Sequence, residues 1–202
     1  MVYRTTPKMA QRKQQQRAHL LETAVRLFGK HGYHATTVPM IVKASGGSTG
    51  SFYFYFRNKE DVFAAALEEF GKRIAAALNE VIDAAGASPA QKMRAAVERL
   101  VTFMAENPDE ARILIVETSG LGGRLQLIRR KIVDSHAKAV EAALPLLNAD
   151  VNAEIVARCW GGSVYESVFH WLEQPAASRP SADQLAHAVA DFNLRGSGAK
   201  TS

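Results

Sequence analysis

The chain has almost no cysteine: Cys159 stands alone among 202 residues, so neither an internal disulfide nor a multi-cysteine zinc site can form. It has no apolar run approaching the ~18 residues that a membrane-spanning helix needs, and its first residues lack the apolar core of a secretory signal. A soluble, cytoplasmic protein is therefore expected, with no membrane partner. It has no GxSxG, Walker-type phosphate loop, dinucleotide fingerprint or HExxH, and its six histidines (His19, His31, His34, His136, His170, His187) fall in no metal-ligand spacing. Catalysis, a cofactor and a metal are not expected. No stretch alternates convincingly with period two and no repeat is visible, which argues against strands and solenoids. Acidic residues are scarce at one end: residues 1–60 hold only Glu22 and Glu60 against ten basic side chains, a local charge of +8.

What is present is an ordinary globular composition, 47% hydrophobic and 22% charged, with nine Phe, five Tyr and two Trp. That suffices for one medium domain or two small ones with a proper core. The net charge of +5 belongs to the N-terminal third, because the other 142 residues carry 15 basic against 18 acidic groups. Such a field suits a polyanionic partner; a basic tail that only aids solubility would give the same count.

Helical spacing runs through nearly the whole chain. Leu20, Leu21, Ala24, Leu27 and Phe28 mark one face of a helix expected from Met9 to Gly32. Val38 to Ala44 follows, with Pro39 in its first turn and Thr37 placed to cap it. After Ser45-Gly46-Gly47, the run Phe52-Tyr53-Phe54-Tyr55-Phe56 passes for a strand by propensity alone. Asn58 with Asp61 three residues on resembles a helix start, and Val62, Phe63, Leu67, Phe70, Ile74, Leu78 and Val81 form one long stripe. Further helices are expected around Met93–Met104, over 109–118 ahead of Gly120, Gly122 and Gly123, from Leu125 to Leu144, from Val156 to Leu172, and from Leu185 to Phe192. The class is all-α.

Residues 17–70 resemble the DNA-binding domain of the TetR family of transcriptional regulators. The resemblance rests on Ala24, Phe28, Gly32-Tyr33, Thr36-Thr37, Ile41, Gly46, Ser48, Gly50, Tyr53, Tyr55-Phe56 and Lys59-Glu60, in order and at the family's spacing. It implies that the aromatic run is a short recognition helix, and that about nine helices form a three-helix reader with a helix-turn-helix, joined by a long helix to a dimerising, ligand-binding bundle. The boundaries expected are a flexible basic arm over 1–14, the reader over 15–60, the bundle over 61–195 and a frayed tail over 196–202. The sequence departs from the family at Gly47, where a small hydrophobic residue is usual in the turn, and at Pro39-Met40 and Val42.

A helix that enters the major groove needs small or hydrogen-bonding side chains in its first turn. Ser48 is placed to cap that helix, Gly50 to let the backbone approach DNA, and Thr49, Ser51 and Phe52 to meet base edges, Phe52 through a thymine methyl. Tyr53, Tyr55, Thr37 and Lys59 are expected at phosphates, and Phe54 and Phe56 in the core. Arg4, Lys8, Arg12 and Lys13 are either a DNA tether or a solvated tail.

In the bundle, Leu67, Phe70, Val101, Met104 and Ile113 are candidates for an apolar effector cavity, with Glu117, His136, Tyr165 and Glu166 as inward polar groups; for any single apolar one a filled core is the better reading. Gly161-Gly162 within a stripe of Trp160, Val164, Val168 and Trp171 marks an expected homodimer interface, with Cys159 packed beside it. The expected partners are a palindromic duplex operator, a second copy of the chain and a small hydrophobic effector. An acyl-coenzyme A is one candidate, because Arg124, Arg129, Arg130 and Lys131 cluster as receivers for its phosphates, although a solvated helix face would look the same. The reading is a repressor released by its effector; the alternative is an architectural DNA-binding protein without one.

Overall fold

The computed structural model describes residues 7–83, 86–147 and 150–197. Among these, every regular element is helical: α1 (Pro7–Ala35), α2 (Val38–Ser45), α3 (Thr49–Tyr55), α4 (Lys59–Ile82), α5 (Pro89–Glu106), α6 (Pro108–Arg112), α7 (Gly123–Ala143), α8 (Ala153–Glu173) and α9 (Ala182–Gly196). Helix α6 continues into a wider π-type turn over Ile113–Glu117, and α7 into a 3₁₀ turn over Leu144–Leu147.

Two expectations change at the N-terminus. Lys8, Arg12 and Lys13 lie on α1 rather than in a flexible arm, because the helix already begins at Pro7, a residue tolerated in a first turn; Arg4 lies outside the described residues. Nor does the helix stop at Gly32. That residue breaks it with φ 79° and ψ 165°, and a last turn runs on to Ala35, tied back by Thr36, whose buried hydroxyl donates to Leu27 O and Gly32 O. The tail expected over 196–202 falls almost wholly outside the described residues.

Local chemistry starts each helix of the reader. The Thr37 hydroxyl accepts the Met40 N–H at 3.4 Å, that of Ser48 accepts the Ser51 N–H at 3.1 Å, and the side-chain Oδ1 of Asn58 accepts the Asp61 N–H at 2.8 Å. Gly46 ends α2 in the left-handed region, φ 65°, where a side chain would strain the backbone. On α1, Leu20, Ala24 and Phe28 recur every four residues and face inward, and the Phe28 ring meets Phe63 of α4 edge-on at 4.9 Å.

Helix α4 carries this core into the bundle through Leu67, Phe70 and Ile74. At Gly71 it closes on α7: a Cβ there would lie 2.8 Å from Ile132 Cγ1. Helices α5 and α9 each begin with a reciprocal capping box, Ser88 with Gln91 and Ser181 with Gln184. On α7 only Leu125 is fully buried; the rest of its apolar stripe is half-buried, and from His136 to Ala143 the helix borders a cavity.

Candidate functional site

The reader is organised around α3. Phe52 is wholly buried, so it packs the core and cannot meet a base; this corrects its expected role. Its helical partner four residues on, Phe56, is buried beside it with ring centroids 5.8 Å apart. Phe54, expected inside, is 66% exposed. A helix turns about 100° per residue, so burying positions 52 and 56 turns 53 and 54 outward. The exposed face of α3 is Thr49, Gly50, Tyr53 and Phe54, while Ser51 and Tyr55 are half-buried.

The first turns of α1 run alongside that face. Lys13 Nζ lies 5.3 Å from the Phe54 ring centroid, the Tyr55 hydroxyl donates to Gln16 Oε1 at 3.1 Å, and the Arg17 guanidinium stands 5.2 Å from the Phe56 ring. Of the basic residues read as an arm, Lys13 is therefore held next to α3. Thr37 caps α2 from an exposed position. Lys59 is engaged within the protein: its ammonium donates to Tyr33 O at 2.7 Å and His34 O at 3.3 Å and lies 4.3 Å from the Tyr33 ring. Burial lowers its pKa, and it closes the end of α1 instead of projecting freely toward a phosphate. Phe54 is the outward residue that sequence reasoning missed; the 3.6-residue period anchored on buried Phe52 and Phe56 would have found it.

The bundle's apolar candidates divide differently from expectation. Leu67, Phe70, Val101, Met104 and Ile113 are buried in the core; Phe70 alone of the five reaches a cleft, a mixed polar one between α1, α4 and α6. A strongly apolar cavity, about 440 Å³, lies instead between α5, α7 and α8, with the end of α4 at one side. Its walls include Leu78, Met93, Val97, Leu100, Val140 and Trp160, and of the proposed polar lining residues it takes His136 and Tyr165. Their side chains are bonded, His136 Nδ1 to the Tyr165 hydroxyl at 2.7 Å. Burial lowers the His136 pKa from 6.5 to about 4, so the imidazole is neutral near pH 7, and burial raises that of Tyr165.

Glu117 lies elsewhere. At the end of the π-type turn its Oε2 accepts the Tyr33 N–H at 2.7 Å, just past the Gly32 break, and so joins the bundle to the reader. Arg124 makes a second link, donating to Asp61 at 3.0 Å. Together with Arg57 it holds the Asp61 carboxyl down at about 2. Glu166 is exposed. The four cations grouped as phosphate receivers do not converge: Arg124 is committed to Asp61 and Glu68, Arg129 donates to Leu114 O, and Arg130 and Lys131 are exposed.

The expected dimer stripe also changes. Trp160, Val164, Val168 and Trp171 are buried within this one chain, because α8 packs them against its own bundle. Gly161 is half-buried, with open space where a Cβ would stand. The outward faces of α8 and α9 carry Ile155, 60% exposed, Phe192, 67% exposed, and Cys159, which is exposed rather than packed. No described helix is long and apolar enough to cross a membrane.

Residues 20–66 match the family model described as bacterial regulatory proteins, tetR family. Over 154 residues the chain is 27% identical to the uncharacterized HTH-type transcriptional regulator YdgC of Bacillus subtilis (strain 168), covering 73% of this chain and 76% of that one. The fold matches the fatty acid degradation regulator FadR from Bacillus halodurans with TM-score 0.80 at 20% identity, over 90% of this chain and 95% of that one. It also matches FadR from Bacillus subtilis in complex with stearoyl-CoA, TM-score 0.75 at 19% identity, over 89% and 98%. With residues 20–66 matched in sequence and the architecture matched almost end to end, the reader is a helix-turn-helix domain of the tetR family of bacterial regulatory proteins, carried in a chain with the fold of solved TetR-family regulators.

Proposed function

We propose that the chain is a homodimeric repressor that lays α3 of each subunit in a major groove of a palindromic operator and leaves it when an apolar effector enters the cavity. The observation that carries this reading is the division of α3. Phe52 and Phe56 anchor the helix while Thr49, Gly50 and Tyr53 stand outward beside the basic first turns of α1. Thr49 and Ser51 then serve base edges, Tyr53 the phosphate backbone, and Lys8, Arg12, Lys13 and Arg17 the duplex charge. Tyr55 and Lys59 act by fixing the reader's geometry.

The second copy docks on the outward face of α8 and α9, where Ile155, Cys159 and Phe192 are in solvent. The cavity supports an apolar effector, and its wall helix α7 begins at Arg124, the residue bonded to Asp61 at the start of α4. An effector that displaces α7 thereby shifts the reader's support, favouring a conformer whose two α3 helices no longer match the half-site spacing. FadR from Bacillus subtilis was solved with stearoyl-CoA, and an acyl chain suits such walls. The separation of Arg124 from Arg129, however, makes acyl-coenzyme A the less favoured member of the class. Sedimentation of the chain with an operator duplex tests the reading. Two chains per duplex and release by an apolar compound are expected, and a monomeric complex indifferent to every such compound overturns it.

A further inference from the structure

The cavity wall is apolar except at a few points, and these define what it accepts. Lys92 is the one charged side chain on the lining, and the His136–Tyr165 pair is the hydrogen-bonding group contributed by α7 and α8. The pair has a preferred arrangement. If the Tyr165 hydroxyl donates to His136 Nδ1, one polar group is left open, the Nε2–H of His136. With the opposite direction, both the tyrosine proton and the Nε2 lone pair are left without a partner. The buried tyrosine hydroxyl would have no acceptor in the second arrangement, so the first prevails and the imidazole presents a donor at the cavity wall.

We infer that the effector is a neutral apolar molecule carrying one hydrogen-bond-accepting oxygen, of the ester, ketone or alcohol class, and that His136, oriented by Tyr165, receives that oxygen. A carboxylate of the same skeleton gains at most the partly solvated ammonium of half-buried Lys92 and must otherwise shed its hydration in an apolar chamber, where the His136 donor is uncharged. An alkane loses because it leaves the Nε2–H without a partner. Tyr165 is a positioning residue: it fixes which ring nitrogen bears the proton. The inference rests on the cavity being the effector site.

The test is displacement of a fluorescent apolar dye from the full-length protein, without DNA and near neutral pH, by methyl decanoate, decanoate, decane and decanoyl-coenzyme A. Methyl decanoate is expected to bind at least about tenfold tighter than decanoate or decanoyl-coenzyme A, the scale of a buried charge left unpaired. In His136→Phe the advantage of ester over alkane should vanish, and in Tyr165→Phe it should shrink, with thermal melting confirming that each variant is folded. The inference is overturned if decanoate or decanoyl-coenzyme A outcompetes the ester, or if both folded variants keep the wild-type ratio of ester to alkane. Adding the operator afterwards separates the two readings. Ester binding that depends on His136 but leaves DNA bound removes the effector role and keeps the ligand assignment, whereas DNA release by decanoate does the reverse.

Discussion

The two halves of the molecule use their apolar residues to different ends. In the reader, Phe28, Ile41, Phe52, Phe56 and Phe63 meet at the junction of α1 to α4 and are essentially wholly buried. In the bundle, the side formed by Leu67, Phe70, Val101, Met104 and Ile113 is equally close-packed, but between α5, α7 and α8 the walls stand apart around about 440 Å³. A reader must hold side chains at fixed positions against DNA, which close packing provides. A sensor needs room and a wall that can move, and a half-buried helix such as α7 provides both. Glu117 and Arg124 join the halves, one at each end of the segment that connects α6 to α7.

Substitutions sharpen this contrast, the largest effect coming from the reader's core. Phe52→Ala should lower stability by about 3–5 kcal/mol and abolish DNA binding through loss of the domain, read by thermal or denaturant unfolding. Its neighbour Tyr53, 54% exposed, should behave oppositely. Tyr53→Ala should leave stability within about 0.5 kcal/mol yet weaken binding to every duplex sequence by about tenfold, read by fluorescence anisotropy. Wild-type affinity in that variant would break the placement of α3. In the bundle, Val140→Phe directs bulk toward empty space, so it should shift stability by less than about 1 kcal/mol, below the usual cost of overpacking, while removing effector-induced release. Glu117→Ala should cost about 1 kcal/mol and reduce the difference in DNA affinity between effector-bound and free protein.

A separate effect is one of pH. His136 has its pKa lowered from 6.5 in the unfolded chain to about 4 in the fold, so the folded state holds fewer protons across that window. Its contribution to stability is complete above pH 6.5 and is lost as pH falls toward 4. Asp61, lowered from 3.8 to about 2, acts in a separate and more acid window: its contribution is complete above pH 3.8 and fades below it. The melting temperature of His136→Phe should therefore fall less steeply between these upper limits than that of the wild type, with the same slope in more acid solution.

The features that could be read from sequence were local ones. Thr37, Ser48 and Asn58 cap their helices because a short polar side chain at that spacing has few other uses. The stripes on α1 and α4 declare their buried faces by period. The aromatic run on α3 is different, since every position from Phe52 to Phe56 is large and aromatic, so the helical period says which ones turn inward only once a buried anchor is known; Phe52 and Phe54 exchanged places for that reason. Lys59 was misplaced because its partners are carbonyls of residues 33 and 34, brought near only by the fold. The cavity was the hardest to see. It is made largely by what is small, Ala137, Ala143, Ala157 and Gly161, and alanine in a helix reads simply as a good helix former. The stripe on α8 was correctly apolar but serves its own bundle, and sequence alone does not distinguish a face buried within one chain from a face buried between two.

The central claim, that two copies of α3 read a specific duplex, is tested most directly by in vitro selection of random duplex DNA with the purified protein at two salt concentrations, read by sequencing. A palindromic consensus whose half-sites lie about one helical turn apart, retained at the higher salt, is the predicted result. Binding that is lost with salt and indifferent to sequence would contradict it and favour an architectural DNA-binding protein instead.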